Sequence, residues 1–409
     1  WNEVARKVVL SEVNSLSNRM IILLAAVSAL GPVAMQILLP ALPVIKKTFL
    51  VTDDVAQLTL SLSMLAIAAG TLIYGPLSDK YGRKPIMLIG ISITLAGSIL
   101  CFLSDTIFWL IVSRVIQAFG AAVGLVLARA IVRDICGAKE AARVIATLVM
   151  VMVVLPMMSP ALGGELMQQF GWQSVFVVIA IASVFALIFL FFNLPETLKE
   201  PVPFEGVSSM FATFSILLKS KIFCGYAFCI TFVSVVFFSF ISAAPEIMIS
   251  VLNRPPTEYG YYFVLIPIGF MSGNYVARHF GVSTSIDTMI AIGASIGIAG
   301  IILALALHII GFNQPFALFA PIALAVFGNG ITLPNAQAAA INEFPQYAGS
   351  ASGLTGFLQM AVSAAAAQLV AIIYNGTVYP LLVLMLASSI ASLLLFRWGV
   401  LRQKKKINS

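Results

Sequence analysis

Few residues in this chain have the chemistry to move a proton or to hold a charged ligand. Arg114 lies inside a long apolar run, with Gln117 three residues on, so the two share one helix face. A charge buried in hydrocarbon is costly and by default functional, and arginine stays charged and suits carboxylates or phosphates. Carboxylates avoid the middle of the apolar runs: Glu165 and Glu246 fall near one set of run ends and Glu343 near the other. A carboxylate there works near neutral pH only if desolvation holds its proton. Cys101, Cys136, Cys224 and Cys229 form no CxxC pair, and with two histidines in the chain no metal site is expected. No GxxxxGK[ST] occurs, which excludes an ATP pump in one chain. Neither a nucleophile with a His or Asp partner nor a symmetric pore lining is visible, so an enzyme or a channel is not expected.

The elements that carry these residues follow from composition. Of 409 residues, 60% are hydrophobic and 10% charged, too few charges to solvate a globule of this size. Apolar runs fall at roughly 20–45, 55–77, 85–103, 106–131, 142–167, 172–193, 221–246, 259–279, 287–308, 315–340, 351–373 and 378–400, each long enough to span hydrocarbon as a helix. The polar stretch ahead of the first run lacks a cleavage pattern, so it does not read as a secretory signal, and a chain starting at Trp1 reads as trimmed. Of the 23 lysines and arginines, Lys46, Lys47 and Arg254 fall on one side and Arg114 within a span, which leaves 19 on the other. The positive-inside rule then puts both termini in the cytoplasm, and the net charge of +7 describes the inner face rather than a nucleic-acid footprint.

The longest polar interruption, Leu194 to Ser220, separates six runs from six. The expected organisation is a cytoplasmic segment at 1–19, a six-helix bundle at 20–194, a linker at 195–220, a second bundle at 221–400 and a basic tail at 401–409. The loop GPLSDKYGRKP (Gly75 to Pro85) has a decayed counterpart in GNYVARHFG (Gly273 to Gly281), as expected of parallel repeats with a site between the halves.

That loop carries the most specific signal. Gly75 and Gly82 permit a tight inner turn. Asp79 offers a carboxylate to a cation or helix N-terminus of the other half, and Lys80, Arg83 and Lys84 hold the loop inside. In the fifth run, Pro156 and Pro160 each remove a helix hydrogen bond, and Gly163-Gly164 lets a neighbour approach closely. Tyr226, Ser234, Asn329, Asn335, Gln359 and Gln368 are polar residues within spans that either line a cavity or tie helices together.

The Gly75–Pro85 loop resembles the loop signature of the major facilitator superfamily, and Arg114 to Gly120 resembles its span-four motif. The Pro160-x-x-Gly163-Gly164 stretch resembles the motif of its antiporters, with Ser159 in place of a glycine. Leu39-Pro40-Ala41-Leu42-Pro43, Arg133-Asp134, Leu194-Pro195-Glu196-Thr197, Ser242-Ala243-Ala244-Pro245 and Phe344 to Ser352 together look like the Bcr/CflA branch of the twelve-helix drug:proton antiporters. The resemblance implies an all-α membrane protein with twelve transmembrane helices in two pseudo-symmetric six-helix bundles. It also implies an inner-membrane exporter of bicyclomycin, chloramphenicol or similar amphiphiles, a monomer that needs a proton gradient and no cofactor. Its partners would be a small-molecule substrate, protons and the bilayer. The loop, with Arg133, would latch the halves.

One departure bears on coupling. That branch commonly carries an aspartate four residues before the first proline of LPALP, where this chain has Gln36, which cannot titrate. Gln36 lies about 24 Å from the inner surface and Arg114 about 10 Å below the outer one, similar depths in a core of about 30 Å. Either Glu246 or Glu165 takes the proton role, or Arg114 binds an anionic substrate directly, bonded otherwise to Gln36 and backbone carbonyls. Export of an endogenous metabolite or siderophore, or anion exchange, fits the same scaffold; Pro-x-x-Gly-Gly argues against an importer.

Overall fold

The computed structural model describes residues 18–198, 207–280, 284–344 and 347–401. The basic N-terminal segment through residue 17, Lys199, Pro345, Gln346 and the tail from Arg402 lie outside them. Among the described residues every regular element is helical. Ten stretches are long and apolar enough to cross a membrane.

The first half begins with α1 (Asn18–Gln36), a tight turn at Leu39–Ala41 and α2 (Leu42–Phe49). The expected first span is thus divided, because Pro40 and Pro43 lack the N–H groups that would continue it. Then come α3 (Asp53–Tyr81), α4 (Arg83–Phe102), α5 (Ile107–Phe170) and α6 (Ser174–Asn193). The second half holds α8 (Lys221–Glu246), α9 (Pro256–Phe263), α10 (Leu265–Phe280), α11 (Ile286–Ile309), α12 (Pro315–Glu343), α13 (Ala348–Ile373) and α14 (Tyr379–Phe396). Between the halves α7 (Val207–Lys219) is helical, where the sequence read as a linker.

The fourth and fifth expected spans are joined by helical backbone rather than by a loop. Gly124 abuts the Val27 carbonyl and Gly163 abuts the Ile37 carbonyl, ten residues further along the chain, about 15 Å on a helix. A straight helix would place Gly124 and Gly163 about 58 Å apart. The 64-residue α5 therefore doubles back beside α1. Its turn region is proline-free and rich in Ala, Lys, Glu and Arg, residues that keep backbone helical. The eighth expected span is divided at Val264, because Pro267 cannot donate to the Phe263 carbonyl.

The Pro156 and Pro160 positions leave α5 unbroken. Pro160 cannot bond the Pro156 carbonyl, and the Ser159 hydroxyl donates to it instead at 2.7 Å. The serine that departs from the antiporter motif thus replaces a hydrogen bond that the proline removes.

Within the first half α5 packs on α1, α3 and α4, and α4 on α6; within the second α12 packs on α10, α11 and α8, and α8 on α13 and α14. The halves meet along α3 with α13 and along α5 with α9. At the second junction Gly260 presses on Ala161, with room for no side chain.

Gly163→Val should lower the thermal midpoint in detergent, by overpacking worth about 1–3 kcal/mol against the Ile37 backbone. Gly349→Ala, at a glycine with open space around it, should melt as the parent does.

Candidate functional site

The polar bonds that join the halves gather at the end assigned to the outside by charge. Lys46 Nζ, on α2, lies 2.6 Å from Asp53 Oδ1 in its own half and 3.4 Å from Glu246 Oε1 in the other. Gln368 on α13 donates to the Asp54 carbonyl at 2.7 Å and accepts from Ser61 at 2.8 Å. Tyr261 donates to Glu165 at 3.4 Å. The halves are therefore closed against each other at this end, the outer end by that charge assignment. A cavity of about 40 Å³ lies between the halves there, lined among others by Lys46, Asp53, Gln57, Glu246 and Tyr374. The Gln57 amide nitrogen and the Tyr374 hydroxyl are buried with no partner among the described residues. Burial, then the carboxylates of Glu246 and Asp53, push the Tyr374 phenol up to about 12, so it stays a donor.

Arg114 sits elsewhere, inside the first half and 1% exposed. Its Nη1 donates to the Ala34 carbonyl at 3.1 Å and to Gln117 Oε1, and Gln117 in turn donates to Ser98 at 2.7 Å. The guanidinium lies 5.9 Å from the Phe176 ring centroid. Among the described residues its Nε and Nη2 have no hydrogen-bond partner, and neither does Gln36 Oε1. Ala34 and Arg114 are level, as the depth estimate from sequence requires, but the arginine bonds a carbonyl of α1 and not Gln36. At 1% exposure it is out of reach of a substrate between the halves in this arrangement.

The inner loop is organised by Arg83, 5% exposed. It pairs with Asp79 at 2.6 Å and Asp134 at 3.0 Å and donates to Ser78 at 2.6 Å. Glu196 accepts from the backbone N–H of Arg83 at 2.9 Å and Lys84 at 3.1 Å, and so occupies the N-terminus of α4. Lys84 Nζ donates to the Phe191 carbonyl at 2.9 Å, Lys80 stands over the Tyr81 ring, and Arg133 is exposed. Among the described residues these bonds stay within the first half, and none of them reaches the other half in this arrangement. Of the two glycines only Gly82 makes a turn, at φ +99°, with Glu196 filling the space where a Cβ would stand. Gly75 lies within α3, where a Cβ would fit, so it does not shape the turn.

A family model of the Major Facilitator Superfamily matches residues 24–367. The chain belongs to that superfamily. It is 29% identical to a bicyclomycin resistance protein homolog of Haemophilus influenzae, over 94% of this chain and 97% of that protein. It is 27% identical to multidrug resistance protein MdtL of Shigella dysenteriae, over 92% and 95% of the two chains. It is 25% identical to multidrug resistance protein D of Escherichia coli, over 83% and 85%. The solved structure of a bacterial homolog of the human lysosomal transporter Spinster superposes with a TM-score of 0.70 at 16% identity, covering 94% of this chain and 95% of the other. The fold and the resemblance to the Bcr/CflA branch stand on these matches: the chain is an all-helical facilitator, a multi-pass membrane protein of a transporter family.

On a facilitator fold the remaining candidates separate by burial. Tyr226 is 2% exposed and donates to Asp287 at 2.6 Å. Ser234 donates to the Ile230 carbonyl and Asn329 to the Val233 carbonyl, both buried within the second half. Asn335 is half-buried and donates to the Ile331 carbonyl; Gln359 is half-buried. Pro156, Pro160, Gly163 and Gly164 are buried on α5. Sequence reasoning missed Lys46, Asp53, Gln57 and Tyr374, which read as ordinary end-of-span residues. The one available signal was Lys46-Lys47 on the side otherwise poor in lysine.

Burial raises the Glu196 carboxyl, but the four N–H donors of Leu198, Arg83, Lys84 and Thr197 outweigh it and hold the group below its ordinary range. A depressed carboxyl stabilises the fold above its unfolded pKa of about 4.3, and that stabilisation is lost as pH falls through the folded value. Glu196→Gln should melt below the parent at neutral pH, and melting curves at falling pH should show the gap closing.

Proposed function

We propose that this facilitator exports small amphiphilic, drug-like molecules across the bacterial inner membrane, with both termini in the cytoplasm, as a monomer. Its energy source is the inward proton gradient, with no bound cofactor. The names of the relatives support the substrate class, and the lysine and arginine distribution supports the orientation. The observation that carries the coupling is the Lys46–Glu246 ion pair across the closed outer end. Glu246 is a carboxylate that changes partners when the halves separate, whereas Gln36 cannot titrate and Arg114 keeps its bonds inside one half. Ligand-driven alternating access requires differential binding to the two facing states, and proton and substrate meet that requirement by competing. The anion-exchange reading loses its support, because Arg114 is buried away from the space between the halves.

Inside-out vesicles energised to a fixed pH gradient provide the test, with anionic, neutral and cationic amphiphiles added in turn. Some compound should dissipate the gradient with wild-type protein, and Glu246→Gln should abolish the response. Arg114→Ala should lose activity without shifting preference between anionic and neutral compounds. If no compound moves protons while an anion binds in an Arg114-dependent way, the proton-exchange reading falls.

A further inference from the structure

The outer cavity holds more unspent hydrogen-bonding capacity than packing requires. Gln57, 6% exposed, and Tyr374 each present a donor with no partner among the described residues. A cavity of about 40 Å³ with these polar groups in a largely apolar lining accommodates a few waters, since one needs about 10–15 Å³ by the same measure. Unpaired donors beside carboxylates are the surroundings that hold such waters in place.

Lys46 decides how these groups behave when the halves part. Asp53 opens α3, a few residues beyond Lys46 on the same half, and their 2.6 Å contact moves with that half. Glu246 ends α8 on the other half, and its 3.4 Å contact with Lys46 must break on opening. Lysine suits this task, as a compact charge with three rotatable donors that can bridge two carboxylates and release one. The groups facing Glu246 are Lys46, Asp53 and Tyr374, with Ser250 donating from the next turn of its own chain at 2.5 Å.

We propose that Lys46 couples closure of the outer end to ionisation of Glu246, which makes the cavity around them the transporter's proton-exchange site. This rests on the proton-exchange reading above. In the open state Glu246 has left its counter-charge and takes a proton from outside water. Closure returns the Lys46 ammonium to it, and the proton leaves by way of water held by Gln57 and Tyr374 to water on the inner side, so that a proton taken up outside is delivered inside. Each step transfers one proton between a carboxylate and water, and no other bond changes. By linkage, external acid favours the open outer end.

The test is labelling of Ala367→Cys, buried beside the cavity, by a membrane-impermeant thiol reagent added outside, in full-length protein with its four native cysteines replaced. As external pH falls from about 7 to about 4, through the free glutamate value of about 4.3, wild-type labelling, taken as a ratio to Glu246→Gln at the same pH so that the loss of thiolate cancels, should rise about threefold, the scale of a partly exposed ion pair. Lys46→Met should label as Glu246→Gln does at every pH, both faster than wild type at neutral pH. Lys46→Arg, which keeps the charge, should stay slow and pH-dependent, and Lys46→Glu with Glu246→Lys should restore slow labelling. A pH-independent wild type, or a Lys46→Met variant that keeps the wild-type profile, overturns the proposal. Proton movement in the inside-out vesicles of the transport test separates the two readings. Drug-driven proton flux with a pH-insensitive outer end sinks the Lys46 coupling and leaves antiport standing. A pH-sensitive end without drug-driven flux does the reverse.

Discussion

Hydrocarbon offers no water to a backbone N–H or carbonyl, so each bond that a proline removes from a spanning helix must be ended, turned or replaced. All three solutions occur in this chain. Pro40 and Pro43 end α1 and begin a tight turn and a new helix at the outer end. Pro267 divides α9 from α10. Pro160 leaves the Pro156 carbonyl free, and Ser159 bonds it from the side. With backbone demands met, contacts between helices rest on small residues, as where Gly163 lies against α1 and Gly260 against α5.

The charges then sort by whether their bonds stay inside one half or cross between halves. Arg83 with Asp79, Asp134 and Glu196, and Arg114 with Ala34 and Gln117, belong wholly to the first half. Such bonds survive a rigid-body movement and make the half rigid. The bonds of Lys46 with Glu246, of Gln368 with Ser61 and Asp54, and of Tyr261 with Glu165 cross between halves and must break when the outer end opens. Only the second group is able to report a change of facing state to a bound ligand or proton.

The guanidinium of Arg114 shows how a strong sequence signal is recast by packing. A charge in mid-span reads as a ligand site, and its depth beside α1 is right. Its carbonyl and amide partners, the Phe176 ring and the apolar side chains around it instead make it an internal tie of the first half. The inner loop is a similar case. Its residue types are legible as a charged, glycine-bearing turn, but Asp79 pairs with Arg83 of its own half, and Glu196, more than a hundred residues on, fills the N-terminus of α4.

By itself the sequence determined that the chain crosses a membrane many times, where most of its crossings run, that it divides into two related halves, and which superfamily its motifs match. These depend on hydropathy, spacing and local turn chemistry, which are written in contiguous residues. The tertiary structure alone decided that α5 doubles back without leaving the helix, that Arg114 is sealed within one half, and that Lys46 faces both Asp53 and Glu246. Each depends on which distant surfaces meet, and Lys46 and Glu246, 200 residues apart, become partners only when two helix ends converge at a closed outer face.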